Sequence, residues 1–293
     1  MSSNTTIVFW GSLREDIYID YDFSSGMMEY EKKLTTYKSV IGGSVYNTSR
    51  FLSENSGYNC TMYIWNNDLL ERAGKANENL QITPVGDFLE QHPMSIIGVD
   101  ASGEKRIISC DGNNSTKFDF NKMKQEDGYM FYTSFYEINL LNVETITTIM
   151  QSYIDNGRDV MLDLCPLIEY TSEAIVKDTL RSISILSGNK YEYITMIRKL
   201  NIQNIKEIFD IFPNIRKIII KKGEEGAELY DKEAKTVLKT FATKNNAFNT
   251  TGCGDVFNAM IIYGICQRMS DEQTLKIAVE KGTTIATGGL PWI

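Results

Sequence analysis

One histidine, His92, serves the whole 293-residue chain. That scarcity removes Ser-His-Asp triads, His-rich metal sites and H-E-x-x-H proteases together, and leaves carboxylates as the available acids and bases. Cysteine is sparse and unpaired in pattern. Cys60, Cys110, Cys165, Cys253 and Cys266 make an odd five, with no C-x-x-C, so neither a disulfide framework nor a zinc ribbon is expected and the thiols read as reduced and mostly buried in a cytoplasm. Basic residues are also in deficit: 30 Lys and Arg against 38 Asp and Glu give a net charge of −8, a poor balance for binding nucleic-acid phosphates. Long apolar runs are missing as well. The first residues carry only Ile7 to Trp10 before Arg14, Glu15 and Asp16, too short for a signal-peptide core or for the ~20 apolar residues of a membrane span, so a cytoplasmic protein is expected. No G-x-x-x-x-G-K-[ST] occurs, which disfavours a P-loop kinase.

What is present is a hydrophobic content of 42%, enough for a sizeable core, arranged in short runs. Ile7 to Trp10, Thr61 to Trp65, Tyr129 to Phe135, Asp159 to Leu162, Ile183 to Leu186 and Ile218 to Ile220 read as buried strands, several followed by helical periodicity. Val143, Ile146, Ile149, Met150, Tyr153 and Ile154 recur at three and four before Asn156-Gly157 stops the helix, and Ser270 with Gln273 forms a capping box for a helix running toward Lys281. Such alternation predicts a mainly parallel sheet with helices on both faces. Ser95 to Val99 and Arg106 to Cys110, joined by turn residues Asp100 to Gly103, predict instead a β-hairpin, which with Ile17 to Ile19 makes a small separate sheet. No linker or repeat divides the chain, so a single domain over 1–293 is expected. Residues from about Asn66 to His92 carry the weakest pattern.

Four segments carry chemistry. Asn249-Thr250-Thr251-Gly252-Cys253-Gly254-Asp255 is followed by the apolar series Val256, Phe257, Ala259, Met260, Ile261 and Tyr263, which reads as a buried helix; two glycines just ahead of it aim backbone N–H groups and the helix dipole at an anion, and Asp255 in its first turn can take a proton from a hydroxyl. Asp also favours first turns for purely structural reasons. Lys221 to Asp231 places Gly223 and Gly226 in a turn after a strand, suited to a nucleotide or to an ordinary connection. Gly42-Gly43 opens a helix bearing Asn47, whose amide could face a small ligand. Asn189 and Glu192 stand at i and i+3, a spacing that can hold hydrated Mg²⁺ through its waters or belong to a surface helix face.

Taken in order, these segments resemble the ribokinase-like, or PfkB, family of carbohydrate kinases. Gly11 to Asp16 is similar to the end of that family's first strand, Gly42-Gly43 with Asn47 to its di-glycine motif, Asn189 to Glu192 to its N-x-x-E motif, Lys221 to Asp231 to its nucleotide-side turn, and Gly252 to Asp255 to its G-A-G-D signature. The resemblance implies an α/β three-layer sandwich, ribokinase-like, with a small β lid drawn from about 17–22, 36–41 and 95–110. It implies transfer of the ATP γ-phosphoryl to a primary hydroxyl of a sugar, with a nucleoside kinase as the alternative and a catalytically weak sugar or nucleotide sensor as a reading of another class. Asp255 would be the base, Gly252, Cys253 and Gly254 the anion hole, and Asp16, Gly42, Gly43 and Asn47 the acceptor site. Lys221, Gly223, Gly226, Asn249 and Thr250 would hold the nucleotide, and Asn189 and Glu192 the Mg²⁺. The lid edge is a candidate for pairing with a second copy.

The sequence departs from the family at Asn249, where Asp is usual, and at Cys253, where Ala is usual. It departs again at Asn66-Asn67-Asp68, which lacks the usual glycine, and at Asp163 to Leu167, which lacks the Asn and Arg of many relatives. Without that Arg, and with the Asp16 carboxylate in the pocket, a neutral acceptor is expected. Arg14 and Arg106 are the cations near enough to overturn this expectation.

Overall fold

The structure is a computed structural model and describes residues 6–19, 36–74, 77–86, 91–99, 105–110, 118–123, 128–139, 141–243 and 250–290. Asn249, residues 20–22, the turn at 100–103 and the side chain of Arg106 lie outside the described residues.

The strands are β1 (Thr6–Gly11), β2 (Arg14–Ile19), β3 (Tyr37–Gly42), β4 (Asn59–Ile64), β5 (Leu80–Pro84), β6 (Met94–Val99), β7 (Lys105–Cys110), β8 (Met130–Ser134), β9 (Asp159–Asp163), β10 (Ile185–Asn189), β11 (Lys217–Lys221), β12 (Ala227–Asp231) and β13 (Thr236–Thr240). The helices are α1 (Ser44–Ser56), α2 (Leu70–Ala73), α3 (Val143–Asp155), α4 (Glu173–Arg181), α5 (Lys190–Lys199), α6 (Glu207–Ile211), α7 (Cys253–Cys266) and α8 (Asp271–Gly288).

Nine strands form the main sheet in the order β13-β12-β11-β10-β9-β8-β1-β4-β5. It is parallel from β5 to β11, with β12 and β13 added antiparallel at one edge. Alternation along β1 shows why this is a three-layer structure. Val8 and Trp10 enter one core with Met150, Val176 and Met196 of α3, α4 and α5, while Ile7 and Phe9 enter the opposite core with Leu52, Val256 and Leu275 of α1, α7 and α8. Each large side chain so buried contributes roughly 1.5–3 kcal/mol. Helix α7 is apolar nearly all round, with Val256, Phe257, Ala259, Ile261 and Ile262 buried, because it is covered on both sides by α1 and α8.

The second sheet has the order β3-β2-β6-β7. The expected hairpin is β6 and β7, antiparallel, and the third strand is β2, which pairs parallel to β6 and antiparallel to β3. The weakly patterned stretch holds α2 and the parallel edge strand β5, whose exposed Gln81 and half-buried Ile82 and Thr83 erase the apolar run that marks central strands. The strand expected at Ile183 to Leu186 is displaced to Ile185–Asn189. Ser184 leads into it, giving its hydroxyl to Asp159 (2.7 Å) and its N–H to the Val160 carbonyl (2.9 Å). The capping box at Ser270 and Gln273 is present, and its helix continues past Lys281 to Gly288. Among the described residues no helix is long and apolar enough to cross a membrane.

Candidate active site

The C-terminal ends of β1, β8, β9, β10 and β11 point to one side of the main sheet, where open parallel sheets collect their ligands. A cleft of about 1350 Å³ lies there, bounded by the small sheet on one flank and by α8 and the end of β13 on the other. At its centre α7 begins. Gly252 is the helix N-cap with φ +80°, a left-handed conformation that glycine adopts without strain, and a Cβ on it would lie 2.2 Å from Leu290 Cδ1. No side chain caps the helix, and Gly252, Cys253, Gly254 and Asp255 all line the cleft. An anionic oxygen arriving there meets first-turn N–H groups and the positive end of the dipole. Cys253 is half-buried at the first helical position, with its neighbours in the α1–α7–α8 core.

Asp255 is gripped from α1. Ser44 Oγ donates to its Oδ1 (2.7 Å), Asn47 Nδ2 donates to its Oδ2 (3.0 Å), and Thr48 Oγ1 donates to its backbone carbonyl (3.3 Å). One turn on, Asn258 is fully buried, donating to the Tyr132 hydroxyl (3.1 Å) and accepting from Ser187 Oγ (2.8 Å). The carboxylate therefore stands on a hydrogen-bonded platform tied to β8, β10 and α1, and is aimed rather than loose. The amide expected to face a ligand, Asn47, is 4% exposed; it lines the cleft and gives Nδ2 to Asp255. Ser44 was missed from sequence, although its place directly after Gly42-Gly43 and three residues before Asn47 puts both on one helix face.

Toward the small sheet, Asp16 is 7% exposed and lines the cleft. Its Oδ2 lies 2.1 Å from where a Cβ on Gly42 would be, so glycine at 42 is what admits the carboxylate. Gly43, with φ +111°, lets the chain turn from β3 into α1 beside the carbonyl of Ser12. Arg14 also reaches this wall, donating from Nη1 to the carbonyls of Met94 (3.1 Å) and Cys110 (3.2 Å), which ties β2 to both strands of the hairpin. Glu137, another residue missed from sequence, is 3% exposed. It lines the cleft while accepting from Trp65 Nε1 (2.6 Å) and Ser12 Oγ (3.1 Å). A lone carboxylate inside the apolar stretch from Met130 to Ile138 was the available signal.

At the ends of β9, β10 and β11 the charges alternate. Lys221 Nζ donates to Asp163 Oδ1 (2.6 Å), and both side chains are largely buried. Burial alone would pull the Lys221 pKa down, but Asp163, Glu192 and Asp255 together outweigh it and hold the ammonium above lysine's ordinary value, so this is a permanent cation.

Asn189 is not on the helix face expected for it. It closes β10 as the N-cap of α5, accepting from the N–H groups of Tyr191 (2.9 Å) and Glu192 (3.0 Å), while Glu192 Oε2 accepts from the N–H of Asn189 (2.7 Å). This is a capping box, and Glu192, 8% exposed, lines the cleft rather than a solvent face. Among the described residues no three His, Cys, Asp or Glu side chains converge as a metal cage. The Glu192 carboxylate at the cleft wall fits a hydrated Mg²⁺ held chiefly by waters and phosphate oxygens, whereas the Asn189 oxygen is already committed to two backbone donors.

On the far flank Gly223 and Gly226 shape the turn between β11 and β12. Gly226 has φ +88°, and a Cβ there would sit 1.9 Å from the Thr240 carbonyl oxygen, so the turn and the end of β13 are in backbone contact. Phe241, 79% exposed, follows at the cleft edge opposite Gly282 and Ala286 of α8. Lys221, Gly223, Gly226 and Thr250 all line this part of the cleft.

Residues 89–289 match the sequence profile described as pfkB family carbohydrate kinase. The chain belongs to that family. Membership places it among small-molecule kinases and accounts for the two-sheet architecture. A ribokinase from Lactococcus lactis is 30% identical over 86 residues, covering 26% of this chain and 28% of that relative's length. Among solved structures, an adenosine kinase from Sinorhizobium meliloti superposes with a TM-score of 0.79 at 14% identity, covering 100% of this chain and 97% of that one. The ribokinase of Arabidopsis thaliana, solved with ribose and ATP, gives 0.72 at 17% identity, covering 97% and 93%. At such identities the likeness is one of fold.

Proposed function

We propose that the protein transfers the γ-phosphoryl group of ATP to a primary hydroxyl of a neutral sugar. The observation that carries this reading is the Asp255 carboxylate, fixed by Ser44 and Asn47 at the N-terminus of α7, which no side chain caps, in a cleft open toward two different flanks. Asp255 takes the proton of the acceptor hydroxyl as its oxygen bonds to the γ-phosphorus; the bond from that phosphorus to the β,γ-bridging oxygen breaks and ADP departs. The N–H groups of Gly252, Cys253 and Gly254 stabilise the charge on the moving group. Asp16, Gly43 and Asn47 hold the acceptor, and Lys221, Gly223, Gly226 and Thr250 flank the nucleotide. Asn249, which lies outside the described residues, is assigned to the nucleotide by its sequence position alone. Glu192 would hold a hydrated Mg²⁺, which would supply positive charge to offset that of the nucleotide phosphates.

Neutrality of the acceptor is supported by the state of Arg14, whose Nη1 serves lid carbonyls, and by the adjoining Asp16 and Glu137. The nucleoside reading has its own support: Ile97, Ile107, Tyr136, Leu164 and Pro166 line the cleft and offer apolar surface of the kind a planar base stacks against. The exposed Ile107 and Ile108 on β7 and Tyr37 on β3 support pairing of the lid with a second copy.

The decisive assay measures ADP production from ATP and Mg²⁺ with ribose, fructose, cytidine, adenosine, 2-keto-3-deoxygluconate and fructose 6-phosphate. A neutral sugar is expected to have the highest kcat/KM. A preferred nucleoside moves the assignment to the alternative, a preferred anion overturns the argument from charge, and no turnover with any acceptor returns the protein to the class of binding sensors.

A further inference from the structure

A lysine is out of place at the start of a helix. The positive end of the dipole repels it, and taking an ammonium out of water costs several kcal/mol before any pairing. Yet Lys221 is only 16% exposed, and its Nζ lies 3.7 Å from where a Cβ on Gly254 would be, inside the first turn of α7. Asp163 offsets part of the cost through the 2.6 Å bond, but Asp163 is itself at the cleft wall, and Glu192 and Asp255 add two more carboxylates within electrostatic reach. The three carboxylates therefore face an incoming polyphosphate with one fixed cation of the protein's own among them. A pair serving only to tie β9 to β11 would gain nothing from being set against a helix N-terminus.

We propose that Lys221 is the protein's cation for the transferred phosphoryl group, contacting a non-bridging oxygen of the ATP γ-phosphate and keeping that contact as the group passes to the acceptor. Asp163 is its positioning residue. The ammonium keeps its proton throughout, since the proton released by the acceptor goes to Asp255. The proposal rests on the kinase reading and narrows it, because it places Lys221 on the γ-phosphate rather than on the ribose or base of the nucleotide.

The test is calorimetric and needs no acceptor. The full chain is titrated with ATP and with ADP, each in Mg²⁺, and the ratio of the two dissociation constants is compared between wild type, Lys221→Gln and Lys221→Arg. Gln keeps a donor for Asp163 and Arg keeps the charge, so a variant that folds is available even if one of them does not; circular dichroism melts verify which. Lys221→Gln should weaken ATP binding at least tenfold and ADP binding less than threefold, while Lys221→Arg should hold the ATP-to-ADP ratio within threefold of wild type. Equal loss for both nucleotides, or loss for neither, overturns the proposal and leaves the kinase reading standing. A wild-type protein that binds neither nucleotide removes the kinase reading itself. Once the acceptor is known, Lys221→Gln should lower kcat by roughly 10²–10³, within the range for deleting one transition-state contact, with the acceptor KM nearly unchanged.

Discussion

The two flanks of the cleft are built by different means. The flank proposed for the nucleotide is made of contiguous pieces of chain: Lys221 to Gly226 forms one turn and Thr250 to Asp255 one helix entry, with backbone and glycine conformation doing most of the shaping. The flank proposed for the acceptor is assembled from Arg14 and Asp16 of β2, Gly43 to Asn47 at the head of α1, Ser95 and Ile97 of β6, and Glu137 after β8. A contiguous site tolerates drift in the rest of the fold, whereas an assembled one is only as good as the docking of every segment. The proposed function accordingly places substrate choice where small repackings act and phosphoryl transfer where they do not.

The largest expected effect is common to both flanks. Asp255→Asn should lower kcat by roughly 10²–10⁴ with little change in ATP affinity or melting temperature. Near-normal turnover by the purified variant would remove Asp255 as the base.

Two glycine replacements then separate the flanks. Gly42→Ala forces the Asp16 carboxylate aside and should raise the acceptor KM by about 10–100-fold, the worth of one or two charge-assisted hydrogen bonds, while leaving the KM for ATP alone. Gly226→Ala meets backbone at φ +88°, so it should cost about 1–3 kcal/mol of stability in denaturant titration and raise the KM for ATP, not that for the acceptor. Crossed effects would show that the flanks are coupled.

Glu192→Gln is a gentler probe of the nucleotide flank. Gln can complete the same capping box, so the melting temperature should hold within a few degrees while the Mg²⁺ concentration for half-maximal activity rises several-fold. An unchanged Mg²⁺ titration would count against metal binding there.

The smallest effect is a matched pair in acid. Burial alone would raise the pKa of Glu15, on the acceptor flank, but bonds to Ser39, His92 and Arg72 hold it down at about 2. For Glu228, on the nucleotide flank, burial likewise opposes and Lys222, Lys239 and Tyr230 prevail, again at about 2. Both folded-state values lie below the ordinary 4.5, so each carboxylate contributes stability that is complete above about pH 4.5 and is lost as pH falls toward 2. Glu15→Gln and Glu228→Gln should each flatten the fall in melting temperature over that window, and identical profiles for wild type and both variants would refute the shifts.

The flanks also differed in how far they could be read from sequence. Central strands announce themselves because both faces are buried, as at Ile7 to Trp10, and the segment Gly252 to Asp255 is legible because its chemistry is local. Strand β5 was not legible, since an edge strand buries only part of itself. Nor was the bond from Ser44 to Asp255, because nothing local to a serine says that its partner arrives through a fold. Asn189 and Glu192 show the converse: the spacing was visible, but i, i+3 serves a capping box as readily as a metal, and only the geometry shows that the box is made.

Ser44 and Asp255 are 211 positions apart, and that separation has a meaning during synthesis. A ribosome adding roughly 5–20 residues per second needs about 10–40 seconds to make the intervening chain. Through that interval the face of α1 carrying Val45 and Leu52, with Ile7, Phe9 and Met62 of the sheet behind it, waits without Val256 and Ile261, the residues that will cover it. The nascent chain therefore carries this apolar face uncovered until α7 is made, and the docking of α7 that ends the exposure is the same event that brings Asp255 to Ser44. On the proposed mechanism a form with α7 undocked lacks its base, so the first molecule able to move a phosphoryl group is one whose core has closed.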